Sequence, residues 1–172
     1  MIIVVPIGDV KEAQLEVLKL PLEGIFGQEV QIGSSIAIPD RSFYPERNQY
    51  LASSILSVLY LPKSESRLIG VADVDLFAPG LNFVFGQADV SGKRALISLH
   101  RLRQELYGLP ENENLCNNRA LKEAVHELGH TYGLGHCPNS KCVMHFSNSL
   151  ADTDLKGWNF CSACQRKLNN LR

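Results

Sequence analysis

His126-Glu-Leu-Gly-His130-Thr-Tyr-Gly-Leu-Gly-His136-Cys137-Pro-Asn-Ser-Lys-Cys142-Val-Met144 is the stretch on which the rest of the chain hangs. His126 and His130 are four apart, so on a helix both imidazoles stand on one face, one turn above the other, close enough to share a metal ion. Glu127 follows the first of them. From there a carboxylate can lean over the open side of the metal and take a proton from a bound water. Gly133 permits the left-handed backbone that ends a helix, and Gly135 adds slack for the chain to bring His136 round as third ligand. Three neutral nitrogens leave one tetrahedral position open, which is the arrangement of a zinc site that cuts amide bonds.

The spacing H-E-x-x-H-x-x-G-x-x-H resembles the signature of the metzincin zinc metalloproteases. Its continuation, Cys137 to Cys142, then Met144, then Cys161-Ser-Ala-Cys164, is similar to one branch of that clan, the archaemetzincins. The likeness covers residues 126 to 164, with looser matches at Phe83-Val84-Phe85-Gly86 and Ala95-Leu96-Ile97-Ser98-Leu99. It implies a metzincin-like α/β (α+β) fold: a mixed, mostly parallel twisted sheet with one antiparallel edge strand, backing helices, an active-site helix and a small zinc-stapled C-terminal subdomain. Residues 1 to 133 would form the N-terminal part of a single catalytic domain, and 134 to 172 the C-terminal part. The resemblance also makes Met144 the methionine of a tight turn beneath the zinc ligands, packing there without ligating. Phe146 stands where certain relatives place a tyrosine that helps the metal, so no phenolic donor is expected there. Phe146 to Ser149 would line the pocket beyond the scissile bond.

The chemistry expected of the histidine set is hydrolysis of a peptide bond by a zinc-activated water, with Glu127 as general base and then general acid. The alternative is a zinc-stabilised peptide- or protein-binding module that cuts nothing. Glu127 separates the two, because a structural site has no use for a carboxylate there or for an open fourth position. The four thiolates of Cys137, Cys142, Cys161 and Cys164 close a second coordination shell, so two zinc ions per chain are expected, one catalytic and one structural. Rival readings of the cysteines are a redox pair at 161 and 164 and a zinc ribbon for nucleic acid; the first leaves Cys137 and Cys142 unused, and the near-neutral charge disfavours the second. Cys116 is assigned no role, His100 reads as an ordinary polar residue, and His145 as surface or a substrate contact.

At 172 residues, 45% of them hydrophobic, the chain can build one domain with a sizeable core. A formal net charge of -1 offers no long-range attraction for nucleic acid or an anionic membrane, so neither partner is expected. No apolar run approaches the roughly 20 residues that span a bilayer. Met1 to Val5 lacks a basic flank and meets Pro6 at once, reading as a strand and not an export signal. Five cysteines without such a signal argue for a reducing, cytoplasmic setting. The expected partner is a peptide or protein substrate. Endopeptidase and aminopeptidase both stay open, as does oligomeric state.

Along the chain, Ile2 to Ile7 reads as a buried strand, followed by a capping box at Asp9 and Glu12 and a helix from Val10 to Leu20 that Pro21 interrupts. Its core side would carry Val10, Ala13, Val17 and Leu20. Val30 to Ile38 reads as a second strand, Arg41 to Arg47 as a loop, and Leu51, Ile55, Val58 and Leu59 as one face of a helix stopped by Pro62. Residues 67 to 75, 82 to 89 and 93 to 100 read as strands, the last two joined at Ser91-Gly92. The segment around Phe83 to Ala88 is a candidate edge for an extended peptide. Arg101 to Asn117 reads as a surface connection, with the histidine helix starting near Asn118 and burying Leu121, Ala124, Val125, Leu128 and Tyr132.

Overall fold

The computed structural model describes residues 1 to 60 and 66 to 171. In chain order these form β1 (Ile2–Ile7), α1 (Glu12–Phe26), β2 (Val30–Ile32), β3 (Phe43–Tyr44), β4 (Gln49–Leu51), α2 (Ala52–Leu56), β5 (Arg67–Ala72), β6 (Leu76–Phe77), β7 (Gly86–Asp89), β8 (Arg94–Ser98), α3 (Glu113–Thr131), α4 (Leu150–Leu155) and α5 (Ser162–Leu171). Five strands make the main sheet in the order β2-β1-β5-β8-β7. All pairs are parallel except β7 with β8, so β7 is an antiparallel edge, as expected of the fold.

Side chains alternate across this sheet with period two, which lets both faces be covered. Ile2, Val4, Ile69, Val71, Ala95 and Ile97 face α1 and α3, while Val5, Ile7, Leu68, Ala72 and Leu96 face α2 and its neighbours. Burying both faces explains why the strands read as continuous apolar runs.

Several local expectations shift. Helix α1 runs straight through Pro21 to Phe26, and Gly27 caps it at φ 57° with its N–H bonded to Glu23 O. The bond that Pro21 forfeits lies on the Val17 side, which is 44% exposed and open to water. Extending the helix moves its buried stripe to Leu15, Leu18, Leu22 and Phe26, leaving Leu20 74% exposed. No side-chain capping bond forms, because Lys11 and not Asp9 holds the cap position. Strand β2 is shorter than expected, with a lone bridge from Ile36 to Ile7 continuing its line. The expected loop at 41 to 47 instead holds a 3₁₀ turn and β3, part of a small sheet with β4 and β6. Pro62 lies outside the described residues. Helix α3 starts at Glu113, earlier than expected, because the Asn112 side chain accepts the Leu115 N–H at 3.0 Å and caps it.

Candidate metal centre

Helix α3 crosses the sheet with Ala124, Val125 and Leu128 fully buried beneath it. That packing fixes its rotation, so His126 and His130 emerge on the opposite side, toward the cleft. Gly133 ends the helix at φ 91°, and the chain turns back to bring His136 over them. The ring centroids of the three histidines lie 4.6, 4.9 and 5.3 Å apart, and one nitrogen from each falls within 4.8 Å of the others.

Hydrogen bonds orient two of these rings. Nδ1 of His126 donates to Val143 O at 2.8 Å, and Nδ1 of His130 donates to Leu134 O at 2.7 Å. A proton on each Nδ1 leaves each Nε2 with a bare lone pair, and these two nitrogens are 3.0 Å apart. Two lone pairs so placed repel each other unless a cation lies against both. The backbone thus plays the orienting part that ligating imidazoles require, and the donor set fits zinc. Burial pushes the protonation of all three imidazoles below the ordinary histidine range; the nearby Lys156 charge adds to this at His126, and His130 adds at His136. Neutral rings are the ligand form.

Met144 is fully buried and lies under the helix at Gly129, where an added Cβ would stand 2.5 Å from its Sδ. The fold therefore places it as an apolar floor, as the resemblance implied. Phe146 packs its ring 4.9 Å from that of His136.

Glu127 is buried, and its carboxyl is pushed well above the usual carboxylate range by burial and then by Glu123, with Lys156 pulling the other way. A bound cation would draw it back down. Glu127 opens onto a cavity of about 260 Å³ walled by Gly80 to Gly86 on one side, Glu123 and His126 below, and Phe146 to Asn148 on the other.

A second cluster lies behind the first. The sulfurs of Cys137, Cys142, Cys161 and Cys164 come within 4.8 Å of one another, with no disulfide among them. Cys161 N–H donates to Cys142 Sγ at 3.3 Å. The Cys164 N–H, in the first turn of α5, draws the Cys161 thiol down to about 7, whereas burial pushes Cys142 and Cys164 up. Four sulfurs closing on one point suit a structural zinc. The two clusters share a strut, since Cys137 N–H donates to Met144 O at 2.9 Å. His145 uses its Nδ1 on Cys137 O, and Cys116 is buried under the start of α3 away from both clusters. His100 sits in a 3₁₀ turn after β8 and is not part of the histidine cluster.

Sequence reasoning missed one feature of the cleft. Glu123, one turn before Glu127, forms a buried ion pair with Lys156 at 3.0 Å, and Lys156 also donates to His145 O. Its helical i, i+4 relation to Glu127 was a usable signal; the partner, 33 residues away, carried none.

The matching family model is Peptidase family M54, over residues 40–170. The archaemetzincin of Pyrococcus furiosus is 51% identical over 98% of this chain and 92% of its own length. Among solved structures, the archaemetzincin of Archaeoglobus fulgidus, complexed with malonate, superposes with a TM-score of 0.85 at 38% identity, covering 97% of this chain and 99% of that one. A zinc-dependent peptidase from Methanocorpusculum labreanum superposes at 0.89 with 28% identity, covering 98% and 100%. A cleft of three converging imidazoles beside a buried carboxylate, on a chain that matches these relatives over nearly its full length, belongs to Peptidase family M54: the chain is a zinc metallopeptidase of the archaemetzincin group.

Proposed function

We propose that His126, His130 and His136 hold the catalytic zinc, that Cys137, Cys142, Cys161 and Cys164 hold a second, structural one, and that Glu127 carries the protons of peptide-bond hydrolysis. The observation that carries this reading is the pair of Nε2 lone pairs facing each other at 3.0 Å, each ring locked by a carbonyl behind it. Zinc, when bound, supplies a Lewis acid that acidifies a water towards pKa ~7 and polarises the scissile carbonyl. Glu127 takes the proton of the attacking water and passes it to the leaving amine. Among the described residues, β7 pairs with a strand on one side only, so an extended peptide can lie along its other edge. Residues 1–133 and 134–172 act as two parts of one catalytic domain, with the third histidine opening the second part.

Glu127→Gln tests this. The amide keeps the shape and leaves every proposed ligand in place, so zinc content and folding should stay as in the parent protein. Hydrolysis of a pool of short peptides, followed by mass spectrometry, should fall by about two to four orders of magnitude. Equal cleavage by both proteins would remove Glu127 from the mechanism, and no cleavage by either, with zinc bound, would favour a peptide-binding role.

A further inference from the structure

We propose that the cavity beside Glu127 is a specificity pocket for a lysine or arginine side chain, with Glu123 as its recognition residue. The inference rests on the hydrolytic reading above, because it is the leaving amine that must lie beside Glu127. The side chain on that amine's own α-carbon then enters the cavity next to Glu127, which makes the pocket specific for the residue following the scissile bond.

The cavity's volume of about 260 Å³ accommodates a long side chain. Glu123 lines it yet is only 3% exposed, and it lies deep, one turn of α3 behind Glu127. Two groups bind Glu123, both on Oε1: the Lys156 ammonium at 3.0 Å and the Thr153 hydroxyl at 3.1 Å. A carboxylate offers about four acceptor positions, so capacity for further donors is left. On the opposite wall, the Ser147 Oγ is enclosed with no hydrogen-bond partner among the described residues. A buried hydroxyl left so is costly unless a ligand completes it.

The pocket thus presents unfilled acceptors at its end and apolar surface, Leu81, Phe83 and Phe146, along its sides. A side chain with an aliphatic stem and a tip made only of donors matches that pattern; lysine has three donors and arginine five. Lys156 compensates the Glu123 charge, so hydrogen bonds to fixed acceptors do more of the selecting than net attraction. An acidic side chain would meet Glu123 and Glu127 together and be rejected.

The pair also shapes the wall. Arg119 holds Asp154 through two bonds of 2.7 Å, and Lys122 holds the carbonyls of Thr153 and Asp154. With Glu123 on Lys156, three side chains of α3 pin α4 and the segment leading to it, which carries Phe146 to Asn148. The pocket is therefore held open by the fold rather than assembled around the substrate.

The test compares peptides identical except for arginine, lysine, glutamine, leucine or glutamate after the cleaved bond, using zinc-loaded protein. Cleavage of the arginine and lysine peptides should exceed that of the leucine peptide by about tenfold or more in kcat/KM. Glu123→Gln alone would strand the buried Lys156, so the informative variant is Glu123→Leu with Lys156→Met, which replaces the pair by apolar groups of like size. There the arginine-to-leucine ratio should fall to about one or invert; a ratio is insensitive to a general loss of activity. A parent enzyme preferring leucine, glutamine or glutamate, or a ratio the double variant leaves unmoved, overturns the proposal. Should the parent cleave none of the peptides, the hydrolytic reading fails, and calorimetric binding of the same peptides still decides this one. Tighter binding of the arginine peptide, lost in the double variant, upholds it, and equal binding refutes it.

Discussion

Gly86 on the edge strand lies directly against Glu127 on α3: a Cβ added at Gly86 would stand 2.7 Å from Glu127 Cγ, 2.9 Å from its Oε1 and 2.6 Å from Leu96 O. The absent side chain lets strand and helix approach so closely, and it puts the carboxylate at the strand edge where a peptide can lie. Leu96 O is backbone of β8 and cannot yield, so a methyl group at position 86 must move either the edge strand or Glu127.

Gly86→Ala should therefore lower hydrolysis by about 10- to 100-fold through misplacement of the carboxylate, while zinc content stays as in the parent. Overpacking should also cost about 1–3 kcal/mol in stability. Peptide hydrolysis, metal analysis and a melting curve on one preparation check this, and unchanged hydrolysis would show that the 86–127 contact does not position the proton carrier.

The two metal sites proposed above should differ in lability. His136 is exposed, whereas Cys142 and Cys164 are buried and four thiolates leave no open position. Metal analysis of untreated protein should find two zinc ions per chain. A chelator should remove one quickly with loss of activity and little change in far-ultraviolet circular dichroism, and the other slowly with loss of the C-terminal structure. Simultaneous loss of both would contradict the division.

The histidine and cysteine clusters were legible in the sequence because their spacing is local. His126, Glu127 and His130 share one helical turn, His136 follows one glycine-ended loop, and the cysteines come as two close pairs. The parallel sheet was legible too, from apolar runs alternating with helical spacing. What could not be read depended on distant partners. Pro21 stays helical because α1 buries Leu22 and Phe26 beyond it in the core, which local propensity cannot foresee. The β3–β4–β6 sheet is built from strands of two or three residues, too short for any periodicity. The Glu123–Lys156 pair joins α3 to the segment after α4, and only the fold brings them together.

Acid sensitivity of the hairpin that carries the edge strand should trace to Asp89. Its carboxylate accepts the Gly92 N–H at 2.9 Å and the Ser91 hydroxyl at 2.8 Å and pairs with Arg94, and these contacts, led by the Gly92 bond, hold it down at about 2 from an ordinary 3.8. The folded state thus prefers the ionised form, so this stabilisation is complete above pH about 4 and is lost as pH falls toward about 2. Asp89→Asn should melt below the parent near neutral pH, and the gap should close over that acid range. A gap that stays constant down to pH about 2 would show that the carboxylate's charge plays no part.

Replacing Cys161 and Cys164 by serine should unfold the C-terminal part of the chain. Helix α5 buries only Cys164 and Leu168, too little apolar surface to hold ten residues against their conformational entropy. The stabilisation must come from elsewhere, and the four converging sulfurs are the evident source if metal binding there is coupled to folding. The double variant should therefore carry one zinc fewer than the parent, melt lower, and exchange its amide hydrogens quickly from about residue 137 onward while α3 and the main sheet stay protected. Hydrolysis should fall as a consequence, because Val143 O orients His126 and the Met144–Cys137 bond ties the two clusters together. If Cys161 and Cys164 were instead a redox couple, the variant would lose a reducible disulfide and keep its metal and its melting temperature. A double variant with the parent's zinc content and the parent's exchange pattern would overturn the structural role assigned to the four cysteines.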